Sequence, residues 1–164
     1  MARAAEEVVR IPAGHRLPPQ DLEAERSVLG AMLLSAEAMA DVVEILDAED
    51  FYRSAHGKIY AAVRGLFGHG EPVDVITAVD SLRRSGLLDE VGGALYLRDL
   101  VDEVPTPASA SHYAKIVSDA ALRRRLIGAA ADIMDVAYAG SHDDDAMSEL
   151  EAIQNRESDR KSVV

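Results

Sequence analysis

The stretch Ala108-Ser109-Ala110-Ser111-His112-Tyr113-Ala114-Lys115-Ile116-Val117-Ser118-Asp119-Ala120-Ala121-Leu122-Arg123-Arg124-Arg125-Leu126-Ile127-Gly128-Ala129-Ala130-Ala131-Asp132-Ile133-Met134-Asp135-Val136-Ala137-Tyr138-Ala139 contains no proline and a single glycine, Gly128. Such a run predicts one uninterrupted helix. At 1.5 Å per residue, about 31 residues make it ~47 Å long. A compact body of about 100 residues is only roughly 35 Å across, so the helix should project beyond it. The distal half is too apolar to stand alone in water, because Leu122, Leu126, Ile127, Ala129, Ala130, Ile133, Met134, Val136 and Ala137 cover more than one stripe. Gly140 marks an end. Asp143-Asp144-Asp145 then suits the start of a returning helix through Met147, Leu150 and Ile153. One hairpin cannot bury both of its faces, which points to a partner surface. A break at Gly128, with the helix folded back on the body, is the competing reading.

Upstream, the pattern is helical throughout. Leu22, Val28, Leu29, Met32 and Leu33 recur at helical spacing behind Asp21, a plausible N-cap, up to Leu34. Ser35 caps a second helix with Met39, Val42, Val43 and Leu46 on its apolar face. A third starts near Ser54, carries Ile59, Tyr60, Val63, Leu66 and Phe67, and ends at Gly68-His69-Gly70. Asp74 caps a fourth, with Ile76, Val79 and Leu82 inward and Gly86 beyond its end. Gly92-Gly93 precedes a short helix holding Leu95, Tyr96, Leu100 and Val101, and Pro105 and Pro107 interrupt again. No useful β-alternation occurs, so the expected fold is all-α. Residues 1–20 read as a flexible leader, 21–107 as a helical body, 108–157 as the long helix and hairpin, and 158–164 as a polar tail or the start of a linker.

Composition narrows the function. With 29 acidic against 17 Lys and Arg residues, the chain of 164 carries a formal charge of −12. That opposes sequence-independent binding to a phosphate backbone, which needs cations to displace counterions. No cysteine is present, so disulfides, thiolate metal sites and thiol nucleophiles are excluded together. No run approaches the ~20 apolar residues that cross a bilayer. The opening Met-Ala-Arg-Ala-Ala-Glu-Glu lacks the make-up of a secretion signal, so the expected compartment is the cytoplasm.

Catalytic patterns are missing too. Gly57-Lys58 is followed by Ile59, and Tyr52 stands where a phosphate loop needs its first glycine. His15, His56, His69, His112 and His142 form no i, i+4 pair, and His56 and His69 read as turn or surface residues. The three consecutive Asp residues diverge on a helix start and suit its dipole better than a metal. Arg123-Arg124-Arg125 fans around the helix, and pairing with acids of the hairpin or of a neighbouring subunit outweighs a DNA clamp. These features describe an assembly module, with no catalytic, cofactor-binding or metal residues.

Pro18-Pro19-Gln20-Asp21-Leu22-Glu23-Ala24-Glu25-Arg26-Ser27-Val28-Leu29-Gly30 resembles the opening of DnaB-type replicative helicases, with Arg26 where that family more often has Gln. Further matching blocks follow in order: 50–56, 70–74, 86–88, 91–97, 104–108, 113–117 and 122–127. Each also has a local reading, such as Phe51 and Tyr52 burying aromatic area at a corner between helices. The resemblance covers about residues 18–155 and is lost in the polar 155–164.

It implies an N-terminal domain made of a helical body and a hairpin. Hairpins would pair between subunits into a trimer of dimers, a collar that receives the C-terminal domain of primase. A helicase loader is a further possible partner. ATP and Mg would belong to a separate motor domain, absent here, and DNA would be met only through the full ring. The expected subunit interface is Leu122, Leu126, Ile127, Ile133, Met134, Leu150 and Ile153. The expected primase contacts are Tyr96, Ile127 and Met134. Rival readings are a free-standing acidic adaptor that regulates or loads a helicase, a carboxylate-metal enzyme, and a direct DNA-binding module.

Overall fold

The computed structural model describes residues 16–139 and 143–162. Seven α-helices follow one another: α1 (Leu22–Leu34), α2 (Ala36–Val43), α3 (Ser54–Gly68), α4 (Val75–Arg84), α5 (Gly93–Asp102), α6 (Ala110–Ala139) and α7 (Asp143–Ser162). Single 3₁₀ turns lie at Ala48–Asp50 and Pro107–Ser109, and no strand occurs among the described residues. The fold is all-α, as the sequence predicts.

Local chemistry sets the helix starts. Asp21 accepts a hydrogen bond from the Ala24 amide at 2.9 Å, and Ser35 accepts one from Ala38 at 3.2 Å. Asp74 and Thr77 cap each other reciprocally at 2.9 and 3.0 Å. The body is organised around α1, of whose 13 residues nine are buried. It packs against α2, α3, α5 and α6. At Gly30 a Cβ would stand 2.0 Å from the Leu100 carbonyl oxygen and 2.3 Å from Val104 Cγ2. Glycine is what lets α1 and α5 approach so closely.

Several positions differ from the sequence reading. Ile76 and Leu95 are 79% and 73% exposed. Each lies two residues before an inward residue, Ala78 or Leu97, and two residues is about 200° around a helix. Leu46 is buried but beyond the end of α2; its carbonyl accepts the Tyr60 hydroxyl proton from a loop. Phe51 is buried as expected, whereas Tyr52 is 39% exposed. His56, read as a turn or surface residue, is completely buried. The leader is anchored before its expected end, because Pro19 offers its carbonyl to Arg124 at 2.7 Å. Residues 1–15 and Gly140 lie outside the described residues. α7 continues to Ser162, past the point where a polar tail was expected, with neither Gly nor Pro to stop it.

Burial pushes the Tyr60 phenol up to about 12. Its folded value thus lies above the ordinary value of 10.0, and its contribution to stability is complete below pH 10 and disappears as pH rises through about 12. Chemical denaturation between pH 9 and 12 should show this loss in the wild type and a shallower one in Tyr60→Phe. Equal slopes would remove Tyr60 as the cause. Gly30→Ala should destabilise the domain by far more than the ~1 kcal/mol of an ordinary substitution, read as a large drop in melting temperature, and an unchanged melt would contradict the close approach.

Candidate partner interface

The long helix α6 divides into two chemical halves. Its first half turns Ala110, Ala114, Val117 and Ala121 to the body at spacings of four and three, and all four are buried. No later residue of α6 is buried. Thirty residues span about 45 Å, so the second half extends away from the packed body. It carries Leu126, Ile127, Ile133 and Met134 at 57%, 56%, 39% and 57% exposure.

α7 packs on α6. Gly128, Ala129 and Asp132 line a groove with Ile153, Arg156 and Asp159, a groove that continues to Leu46, Asp47 and Asp50 of the body. Ile153 is 5% exposed and Leu150 is half-buried. Ile153, expected at a subunit interface, is thus already covered within this chain. Leu122 is half-buried next to the body. Most of the large apolar surface left open on the hairpin belongs to α6, with Met147 of α7 also 60% exposed.

Arg124 and Arg125 hold the midpoint of α6. Arg124 donates to the carbonyls of Pro19 and Asp50, with its guanidinium 5.6 Å from the centre of the Tyr52 ring. Arg125 pairs with the Asp50 carboxylate at 2.7 Å. Within the chain, Arg125 thus meets an acid of the body, because the turn at Ala48–Asp50 packs against α6.

A second feature escapes sequence reading. Glu25 of α1 is 1% exposed and His56 of α3 is 0% exposed. The Glu25 carboxylate accepts from the Tyr52 amide at 2.6 Å and the Arg53 amide at 3.4 Å, and His56 Nδ1 lies 2.6 Å from it. His56 Nε2 lies 2.6 Å from the hydroxyl of half-buried Tyr96. Arg53 and Arg26 stand 5.3 and 5.9 Å from the Tyr96 ring centre, and Arg26 is paired with Glu103. Burial raises the Tyr96 phenol above its ordinary value, while Arg53 and Arg26 oppose the shift.

A signal for this network does exist in the sequence. Glu25 stands three, four and seven residues before Val28, Leu29 and Met32, and His56 stands at the same distances before Ile59, Tyr60 and Val63. Each polar residue therefore occupies its helix's apolar stripe.

The three expected primase residues are not gathered into one patch. Tyr96 belongs to α5, which packs on α1 and α4, whereas Ile127 and Met134 lie on distal α6. Among the described residues, no group of three or more His, Cys, Asp or Glu residues could hold a metal ion. Nor does Gly57-Lys58 form a phosphate cradle: a Cβ on Gly57 would stand 2.7 Å from the Ala48 carbonyl, and Lys58 pairs with Glu90 at 2.7 Å. No described helix is long and apolar enough to cross a membrane.

Residues 17–119 match the model of the DnaB-like helicase N-terminal domain. The replicative DNA helicase DnaB of Mycobacterium leprae is 49% identical over 139 residues, covering 85% of this chain and 23% of the relative. That of Leifsonia xyli subsp. xyli is 50% identical over 123 residues, covering 75% and 27%. The chain thus spans about a quarter of the length of these curated relatives. The crystal structure of the N-terminal domain of DnaB helicase from Mycobacterium tuberculosis matches with a TM-score of 0.80 and 47% identity, covering 85% of this chain and 99% of that one. A structure of a DnaB-like replicative helicase and its interactions with primase matches with a TM-score of 0.65 and 26% identity, covering 88% and 36%.

Replacing the buried acceptor should expose its structural weight. Glu25→Gln turns an amide NH₂ toward donors that now meet a carboxylate, at a cost of about 1.5–3 kcal/mol. The urea midpoint should fall accordingly; a midpoint equal to wild type would show that the carboxylate is dispensable.

Proposed function

This chain belongs to the DnaB-like helicase N-terminal domain family, and on that premise we propose that it is the collar module of a replicative DNA helicase. It pairs subunits through its hairpin and receives primase during DNA replication in the cytoplasm. The motor that uses ATP and Mg, and the ring through which DNA is met, belong in this reading to the remainder of the helicase.

One observation carries the pairing: the apolar face of distal α6 that α7 leaves open. Leu126, Ala130, Ile133 and Ala137 are exposed at successive steps of four, three and four, the spacing of a helix–helix seam, with Ile127 and Met134 beside it. Burying a large apolar side chain contributes about 1.5–3 kcal/mol, so these residues suffice to decide assembly. A second copy offers the matching surface, because a two-fold pair brings the same seam together from both sides. Three such pairs would build a six-membered collar, with a helicase loader as a further partner of the ring.

Primase docking rests on the family and on the relative solved with its primase interactions. Its contacts would be Tyr96 on the body and Ile127 and Met134 on the hairpin. Their separation within one chain favours a primase that reaches both surfaces, either along one subunit or across two.

Light scattering behind a sizing column, over a concentration series, tests the pairing. The wild type should run as a concentration-dependent dimer or larger species. Ile133→Asp combined with Met134→Asp should run as a folded monomer. A mass unaffected by the double substitution would refute the seam.

A further inference from the structure

Tyr96 is half-buried on the body surface, and among the described residues its hydroxyl meets two groups: His56 Nε2 at 2.6 Å and Arg53 at 3.4 Å. The partners assign the protons. Glu25 already receives two backbone amides, so the Nδ1 that faces it at 2.6 Å is the imidazole nitrogen carrying hydrogen. Arg53 can only donate, so the Tyr96 oxygen accepts from it and the hydroxyl proton needs an acceptor elsewhere. In the Nδ1–H tautomer, His56 Nε2 supplies that acceptor at 2.6 Å. Every polar atom of the path then has a partner, from the Tyr52 and Arg53 amides through Glu25 and His56 to Tyr96.

We infer that His56, held by Glu25, is a positioning residue for Tyr96: it draws the phenol proton inward and fixes the ring on the surface between Arg26 and Arg53. The ring lies parallel to the imidazole, with an interplanar angle of 5° and centroids 6.1 Å apart. Gly92 reinforces the placement. Its φ is +108°, and a Cβ there would press on Tyr96 Cβ at 3.0 Å. A partner approaching this face meets a ring already oriented and a hydroxyl whose proton is committed inward. Arg26 is already paired with Glu103, so the donor left facing outward beside the ring is the Arg53 guanidinium, and the complementary partner chemistry is an acceptor such as a carboxylate. The inference deepens the primase-docking reading and rests on it for that partner.

Two measurements separate the inference from that reading. In proton NMR spectra of the wild-type chain, the Tyr96 hydroxyl proton should exchange slowly and show a cross-peak to the His56 ring. His56→Leu should abolish the signal, and its absence from the wild type would overturn the positioning whatever primase does. Titration with the cognate primase supplies the second readout. Tyr96→Phe and His56→Leu should each weaken binding about three- to tenfold, the scale of one hydrogen bond.

The double variant should bind no more weakly than the poorer single one, since both remove the same device. His56→Gln keeps an acceptor near Nε2 and should restore most of the affinity, and it remains informative should His56→Leu fail to fold. Losses that multiply in the double variant, or His56 variants that melt earlier yet bind primase as wild type does, would refute a role exerted through Tyr96. A Tyr96→Ala variant that binds primase normally would refute the docking reading, and with it the assignment of primase as the partner. The NMR signal would still decide whether His56 positions the ring.

Discussion

A helix enclosed on most sides has little room for a charge, and α1 carries Glu25 in its first turn at 1% exposure. The carboxylate is tolerated because its lone pairs meet two backbone amides and an imidazole. Those partners come from the segment entering α3, so the solvation of one buried acid joins α1 to α3. The same helix meets α5 at Gly30, where a side chain would collide with a carbonyl. Polar satisfaction at one end and backbone proximity at the other set the spacing of the body around α1. Its remaining buried residues, among them Val28, Leu29, Met32 and Leu33, fill the space so defined.

The long helix solves a different problem. Its body-facing half uses small residues, Ala110, Ala114 and Ala121 with Val117, so that it lies close to α1 and α2. Its outer half continues without that support and keeps two surfaces. Small residues Gly128 and Ala129 receive α7, while larger ones on another face stay open to solvent. That division separates the hairpin's internal packing from the surface it leaves to solvent.

Much of this was legible from residue order because the signals are local. Asp21, Ser35 and Asp74 start helices through bonds to amides three residues away, and the absence of proline from 108 to 139 foretells α6. Signals that depend on distant chain were weaker. His56 reads as a turn residue until Glu25, 31 positions earlier, is placed against it. Arg125 reads as a partner for hairpin acids until Asp50, 75 positions away, turns out to be nearer. Ile76 and Leu95 look inward from composition alone, but which side of a short helix faces the core depends on where its neighbours lie. Ile153 reads as equivalent to Ile133, and only the placement of α7 separates an internal contact from a free one.

The paired arginines at the midpoint of α6 give the domain the mechanics of a cantilever. From Arg125 to Ala139 the outer half is about 21 Å long, accompanied by α7, and its root is held by ionic and carbonyl contacts to the turn at Ala48–Asp50 and to Pro19. A slight pivot at that root becomes a larger sideways displacement at the tip, because a helix transmits rotation as a stiff rod. The turn at Ala48–Asp50 is thus one of the places where the direction of the outer half of α6 is fixed relative to the body.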